Sequence, residues 1–363
     1  MFEWLLSDQM VGNMLYVNSL LLMGGIYALM CLGLNVQWGF TGLFNAGIAG
    51  FAAVGAYTYA ILTTFASGMH IGGYELPIWV GMLAAMIASG IIALAIGAIC
   101  IRLRADYLAI ATIGIAEIIK LILKNETAIT NGPRGVAKIP RSWEHLGDAR
   151  VAEKLPWRLF GEPSAYEGFF REWYPLLFML TVVGFVLLVY LALEIARTSP
   201  WGRVMTAIRE NEAAARAAGK NVTRLRIESF VVGAVIIGLA GAFYAQQLRF
   251  IEPTNAFDPT KLTFLVWVML IMGGSGNNRG AVLGGLMLWV IWSGTELVIR
   301  FGANVLGDIF PDLSASVLVT KASFLRLFLI GLILQFVLQR FPKGILPEVR
   351  PAALGGKTNE VRD

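Results

Sequence analysis

"WGFTGLFNAGIAGFAAVGAY", residues 38–57, decides the fold. It lies inside a long apolar run, yet it carries glycine at 39, 42, 47, 50 and 55 and two polar side chains, Thr41 and Asn45. A helix needs roughly 20 apolar residues to cross the hydrocarbon core of a bilayer. Runs of that kind recur along the chain, and they are continuous rather than alternating. A membrane barrel would read as alternating segments of about ten residues. The expected class is therefore all-α: a polytopic integral membrane protein of about 8–10 transmembrane helices, some broken or re-entrant.

Hydrophobic residues fill 57% of the 363 positions and charged residues 15%, more apolar surface than a soluble domain has to bury. The formal charge is +5, but the cations flank apolar spans and line no polar face, which argues against nucleic acid as a partner. No Lys or Arg precedes Arg102, and Glu3 and Asp8 stand near the start. A cleaved signal peptide opens with positive charge, so the first apolar run is expected to stay as a helix. Cys31 and Cys100 fall in apolar runs without disulfide or metal spacing and read as small core residues. The two histidines, His70 and His145, have no ligand-spaced neighbours, so neither a zinc signature nor a nucleophile–base pair emerges. The phosphate loop Gly-x-x-x-x-Gly-Lys-Ser/Thr does not occur. The chain is expected to be non-catalytic, with no metal and no cofactor, which disfavours an integral membrane enzyme.

Candidate spans are 12–34, 44–66, 78–101, 107–124, 175–196, 227–247, 263–299 and 322–340. Lys and Arg beside the spans set the orientation. The segment 197–226 holds Arg197, Arg203, Arg209, Arg216, Lys220, Arg224 and Arg226 against Glu210 and Glu212, and is placed in the cytoplasm. Arg102 and Arg104 mark the same side, as do Arg340, Lys343 and Arg350, so the C-terminus is cytoplasmic. The transmembrane domain then covers 1–350, with a cytoplasmic tail at 351–363. The run 263–299, interrupted by "GGSGNNRG" at 273–280, must start and finish outside as a tight hairpin or a re-entrant loop. Residues 125–174 form an extracytoplasmic loop, whose Trp143, Trp157, Phe160, Phe169 and Phe170 suit interfacial anchoring or contact with a partner.

Inside the cytoplasmic segment, "TSPWGRVMTAIRENEAAARAAGKNV" (198–222) reads as one short helix. Ser199 suits its N-cap, Pro200 its first position and Gly219 the residue after its end. Trp201, Val204, Met205 and Ile208 form one apolar stripe, with Arg209, Glu210, Glu212 and Arg216 opposite. A two-faced helix of this kind lies on the membrane surface or docks in a groove of a cytoplasmic partner.

"RVMTAIRENEAAARAAGKNVTRLR" (203–226), followed by "GAVIIGLAGAFYA" (233–245), resembles the permease subunits of branched-chain amino acid ABC importers. The resemblance continues in "LGLNVQWGFTGLFNAGIAGFAAVGAY" (32–57), "YLAIATIGIAEIIKLILKNETAITNGPRGV" (107–136), "GGSGNNRGAVLGG" (273–285) and "RFPKGIL" (340–346). It implies a coupling helix that inserts into an ATPase subunit, carried here by Arg203, Ile208, Arg209, Glu210, Glu212, Arg216 and Gly219. It also implies two ATP-binding subunits, a second homologous permease forming a heterodimer, an extracytoplasmic solute-binding protein, and a multi-pass location in the lipid of a bacterial inner membrane. Glu212-Ala213-Ala214 is similar to the importers' Glu-Ala-Ala motif, with its glycine, Gly219, one residue later than usual.

A broken helix survives in lipid where its freed amides are buried in protein or line a polar cavity. Paired breaks in the two halves of a transporter point to the substrate path, where half-helix ends meet a zwitterion. Thr41, Gly42, Asn45 and Gly47 in the first break and Gly273 and Gly274 in the second are the candidates; close helix packing is the favoured reading for most of the glycines, so Thr41 and Asn45, which packing alone does not need, are the better ones. Glu117, one turn from Lys120, is an ionisable residue in mid-span and reads as a structural pair, a gate or a subunit contact. An ion-coupled secondary transporter is the rival, but it would need more deep carboxylates than Glu117 alone. Branched-chain amino acids are the family's usual cargo; urea, short amides and other amino acids are alternatives that these residues do not separate.

Overall fold

The computed structural model describes residues 8–66, 71–144, 163–309 and 339–348, with 328, 331–332 and 335–336. His70, His145, Trp157, Phe160, the tail 351–363 and most of the expected span 322–340 lie outside the described residues. Helix α1 (Asp8–Leu34) runs into a π-helical turn, Asn35–Phe40, then an irregular stretch, before α2 (Ile48–Thr63) resumes. Helices α3 (Ile78–Cys100), α4 (Ala105–Asn125) and α5 (Pro163–Thr198) follow. Two short helices, α6 (Pro200–Glu210) and α7 (Glu212–Ala217), precede α8 (Val222–Leu248). Helices α9 (Phe264–Gly273) and α10 (Asn278–Ile309) end the described bundle.

Among the described residues, five stretches are long and apolar enough to cross a membrane: Met14–Phe40, Ile78–Cys100, Glu172–Thr198, Val222–Leu248 and Pro253–Gly273. Three more helices run beside them. Helix α2 is shorter at 16 residues, α4 has 21 residues but carries Asp106, Glu117, Lys120 and Lys124, and α10 has 32 residues. The run 263–299 is a hairpin of α9 and α10 packed together, and its first arm begins as early as Pro253.

Helix α8 sits at the centre, against α1, α2 and α3. Small residues allow this approach: a Cβ on Gly55 would lie 2.1 Å from the Gly238 carbonyl oxygen, and one on Gly241 2.1 Å from that of Ala52. Lipid provides no hydrophobic drive between helices, so close backbone packing of this kind holds a membrane bundle together. Outward faces of α3, α4 and α5 stay apolar and exposed, at Leu83, Ile87, Ile91, Ile110, Leu187 and Leu191 among others.

The two ends of the bundle differ. At one end β1 (Val136–Ala137) pairs antiparallel with β2 (Phe250–Ile251), Val136 opposite Ile251. Arg141 there donates to the Gln246 and Gln247 carbonyls, both at 3.0 Å. At the other end lie the first break, the α3–α4 turn, α6, α7, the α9–α10 break and the turn at 341–346. Part of the stretch read as a loop, 125–174, is helical, because α5 starts at Pro163. Proline suits a first helical turn, and the apolar signal, which begins only near Leu176, hid this extension. The aromatics turn partly inward: Trp143 stacks on Phe170 at 6.1 Å and donates its indole N–H to Thr181 at 2.8 Å.

Candidate functional site

The first break opens where α1 buries amide side chains. Asn35, Gln37, Thr41 and Asn45 are all buried, and groups like these cost free energy unless they find partners. Here they satisfy one another. Asn45 donates to Gln37 Oε1 at 2.8 Å and accepts from the Gly47 amide at 2.8 Å. Gln37 donates to the Phe230 carbonyl of α8 at 2.8 Å. Thr41 donates to the Gln37 carbonyl at 2.6 Å and lies 3.1 Å from Ser229 Oγ, which donates to the Val36 carbonyl at 2.8 Å. The Trp267 indole of α9 donates to the Asn45 carbonyl at 3.0 Å, and the Ala46 amide donates to Thr112 of α4 at 2.9 Å. Backbone groups freed by the break are thus taken up by α4, α8 and α9, as buried backbone polar groups require. Glycine is required twice: a Cβ on Gly39 would fall 2.1 Å from Asn35 Oδ1, and Gly42 has φ +70°.

The same amides reach the second break. Asn35 donates to Asn278 Oδ1 at 2.9 Å and accepts from the Gly276 amide at 2.8 Å. Asn278 donates to Glu194 of α5 at 3.0 Å, and Glu194 pairs with Arg197 at 2.5 Å. The C-terminal turn folds onto this break, with the Ile345 and Leu346 amides donating to the Met272 and Gly273 carbonyls, both at 2.9 Å. Gly273 and Gly274 therefore serve a backbone junction.

The segment expected as one helix, 199–219, is two. Ser199 caps α6 by accepting from the Gly202 amide at 3.4 Å, with Pro200 first, as expected. The correction lies at Asn211, which is extended (φ −153°) and caps α7 by accepting from Ala214 at 3.0 Å. An Asx side chain offers its backbone this alternative to continued helix. Gly219 has φ +76° just beyond α7, as a helix-ending glycine does. The stripe of Met205 and Ile208 is buried, with Ile208 joining Ala215 and Val222 in a small cluster of their own.

A second correction concerns Arg209, expected on the face opposite that stripe. It turns inward, donates to the Gly39 carbonyl of the first break, and pairs with Glu348 at 2.7 Å. Glu212 is also held, by Arg216 at 2.6 Å and Arg226 at 2.8 Å. Arg203, Glu210, Arg216 and Gly219 face outward.

Of the expected path residues, Thr41 and Asn45 are enclosed by their hydrogen bonds. A Cβ on Gly42 would lie 3.2 Å from Arg209 Cγ, and one on Gly47 2.8 Å from the Thr112 carbonyl of α4. Glu117 stands apart: it pairs with Lys120 at 2.6 Å, is 44% exposed, and shares the outward face of α4 with Ile110, Ile113 and Ile118. The sequence reading missed Asn35, Gln37, Ser229, Asn278 and Glu348. Two amides a few residues ahead of a glycine break, in an otherwise apolar run, were the available signal. Among the described residues no group of three His, Cys, Asp or Glu side chains could hold a metal ion.

A multi-pass helical bundle with two linked breaks and a pair of short helices at one end is the build of a membrane permease. The family described as "Branched-chain amino acid transport system / permease component" matches residues 16–338. The chain belongs to that family. It is 31% identical over 329 residues to the high-affinity branched-chain amino acid transport system permease protein LivM of Escherichia coli, covering 90% of this chain and 69% of that one. It is 27% identical to the probable branched-chain amino acid transport permease protein LivM of Methanocaldococcus jannaschii, covering 92% of this chain and 93% of that one. It is 25% identical to the high-affinity branched-chain amino acid transport system permease protein LivH of Salmonella typhimurium, covering 78% and 86%. No solved structure matches it.

Proposed function

We propose that this chain is one of two permeases in an ATP-driven importer that moves branched-chain or related amino acids across a bacterial inner membrane. The names of its relatives support the cargo, and its likeness to both LivM and LivH supports a heterodimer. Two ATP-binding subunits dock on α6 and α7, through the outward Arg203, Glu210, Arg216 and Gly219. A solute-binding protein delivers substrate at the β1–β2 end, and the C-terminal turn at 341–346 faces the cytoplasm. The observation that carries this reading is the Arg209 contact with Gly39: a push on α6 reaches the first break directly.

In this mechanism the breaks are the junctions through which a push on α6 carries the linked helices as one unit. Thr41, Gly42, Asn45 and Gly47 hold the first, and Gly273 and Gly274 the second. The substrate passes along the outward face of α4, where Glu117 breaks an apolar stripe that lipid alone would cover at high cost. The test is uptake of labelled leucine into proteoliposomes containing this chain, its second permease and ATP-binding subunits, with the binding protein outside. Accumulation should need internal ATP and vanish in an Arg203→Glu, Arg216→Glu variant. Uptake that survives ATP removal but collapses with an ionophore would overturn the reading in favour of ion coupling.

A further inference from the structure

Beside the lever formed by α6 and α7 lies a cleft of about 370 Å³ that the preceding mechanism does not use, lined by Gly42, Leu43, Arg102, Leu103, Arg104, Leu108, Glu212 and Arg226. Three arginines face one carboxylate there, and that carboxylate is already shared between Arg226 and Arg216. Arg226 is largely buried, and its Nε has no acceptor. Arg102 and Arg104 are exposed and make no ion pair among the described residues. With three guanidiniums against one carboxylate that is already paired, the cleft keeps an excess of positive charge, which draws in the opposite sign. The site therefore calls for an anionic group.

Its walls say where that group comes from. Glu212 opens α7 and Gly42 belongs to the first break, where even a Cβ would meet Arg209 of α6 at 3.2 Å. An occupant would contact the lever and the break at once. Lipid headgroups reach laterally exposed cations, whereas this cleft has Glu212 of α7, one of the two helices proposed to meet the ATP-binding subunit, in its wall. We propose that the cleft receives an acidic side chain, Asp or Glu, of the ATP-binding subunit, whose carboxylate sits between Arg102, Arg104 and Arg226 as a second contact beside α6. This rests on the docking proposed above.

The test uses the assembled complex. An Arg104→Lys variant places an amine in the cleft, and a carbodiimide joins it without a spacer to any carboxylate it meets. The expected product is an adduct of this chain with the ATP-binding subunit, mapped by mass spectrometry to Lys at position 104 and one Asp or Glu. In parallel, Arg102→Gln with Arg104→Gln should weaken capture of the ATP-binding subunit about tenfold, more at low salt than high, in vesicles of phosphatidylcholine alone. Equal capture by the double variant and the wild type at every salt concentration, with no adduct, would overturn the proposal. So would a capture defect seen only when anionic lipid is present, because the occupant would then be a headgroup. Failure of the wild-type chain to capture any ATP-binding subunit would instead strike the docking itself.

Discussion

Asn45→Leu separates two accounts of the first break. If the amide faces substrate, its loss stops transport and leaves the fold alone. The hydrogen bonds predict otherwise. Leucine at 45 strands two buried groups, Gln37 Oε1 and the Gly47 amide, each bonded to Asn45 at 2.8 Å. A buried polar group left without its partner costs about 1–3 kcal/mol, so the variant loses roughly 2–6 kcal/mol, a large share of a typical folding free energy of about 5–15 kcal/mol. With an unfolding entropy of about 2.1 cal/mol/K per residue, the melting temperature of the purified chain should fall by roughly 3–8 °C. The assay is size-exclusion chromatography of detergent-solubilised protein after stepwise heating.

A second variant sharpens the result. Gln37→Leu with Asn45→Leu removes both ends of one hydrogen bond, so the pair should cost less than the sum of the singles, the non-additivity expected of partners in contact. The Phe230 carbonyl loses its donor from Gln37, so recovery is partial. An Asn45→Leu chain that melts with the wild type yet transports nothing would refute the clamp and return the amide to the substrate path.

Arg209→Glu sets two carboxylates face to face at Glu348 and removes the donor to Gly39; it should lower the melting temperature by a few degrees, and adding Glu348→Arg should recover about 1 kcal/mol of the loss, read by the same heating assay. Gly241→Leu must drive α8 off α2, since even a Cβ would meet the Ala52 carbonyl at 2.1 Å; no monodisperse protein should be recovered. Gly219→Ala has open space but a φ of +76°, so it should fold with a penalty of about 1 kcal/mol. Glu117→Gln breaks a half-exposed pair within one helix, so stability should change by less than about 1 kcal/mol while leucine uptake falls; unchanged uptake would remove Glu117 from the path.

Spans and breaks were legible in the sequence because bilayer thickness fixes helix length and because glycine clusters interrupt apolar runs. The Ser199 cap and the Met205–Ile208 stripe were legible too, since both are local patterns. What stayed hidden depends on partners far along the chain. Asn35 meets Asn278 across 243 positions, and Arg209 meets Glu348 across 139. Nothing local to either residue announces such a partner. The split of the lever at Asn211 was hidden differently: "NEAAAR" is as good a helix interior as a new start, and only the fold decides that Asn211 turns outward to cap.

These distant pairs change what a moving lever can do. Arg209 links α6 to Gly39, and the buried amides link that turn to α8 through Gln37, to α9 through Trp267 and to α10 through Asn278. A network with every polar group satisfied does not yield one bond at a time, because each stranded group carries its own desolvation cost. Force on α6 must therefore carry the first break, α8 and the α9–α10 hairpin together as one body. Helix α4 is joined more loosely, by the Thr112–Ala46 hydrogen bond and by contact with α2 and with the 253–263 arm of the hairpin, and its outer face is open. In the proposed importer the relative movement falls between that body and α4, which places the changing surface beside Glu117. A disulfide between Cys residues placed at Gly50 of α2 and Ala116 of α4, where a Cβ on Gly50 would lie 3.2 Å from the Ala116 Cβ, should then block transport while leaving ATP hydrolysis running, and reduction should restore transport. Transport at the wild-type rate with the bridge closed would show that α4 travels with the rest.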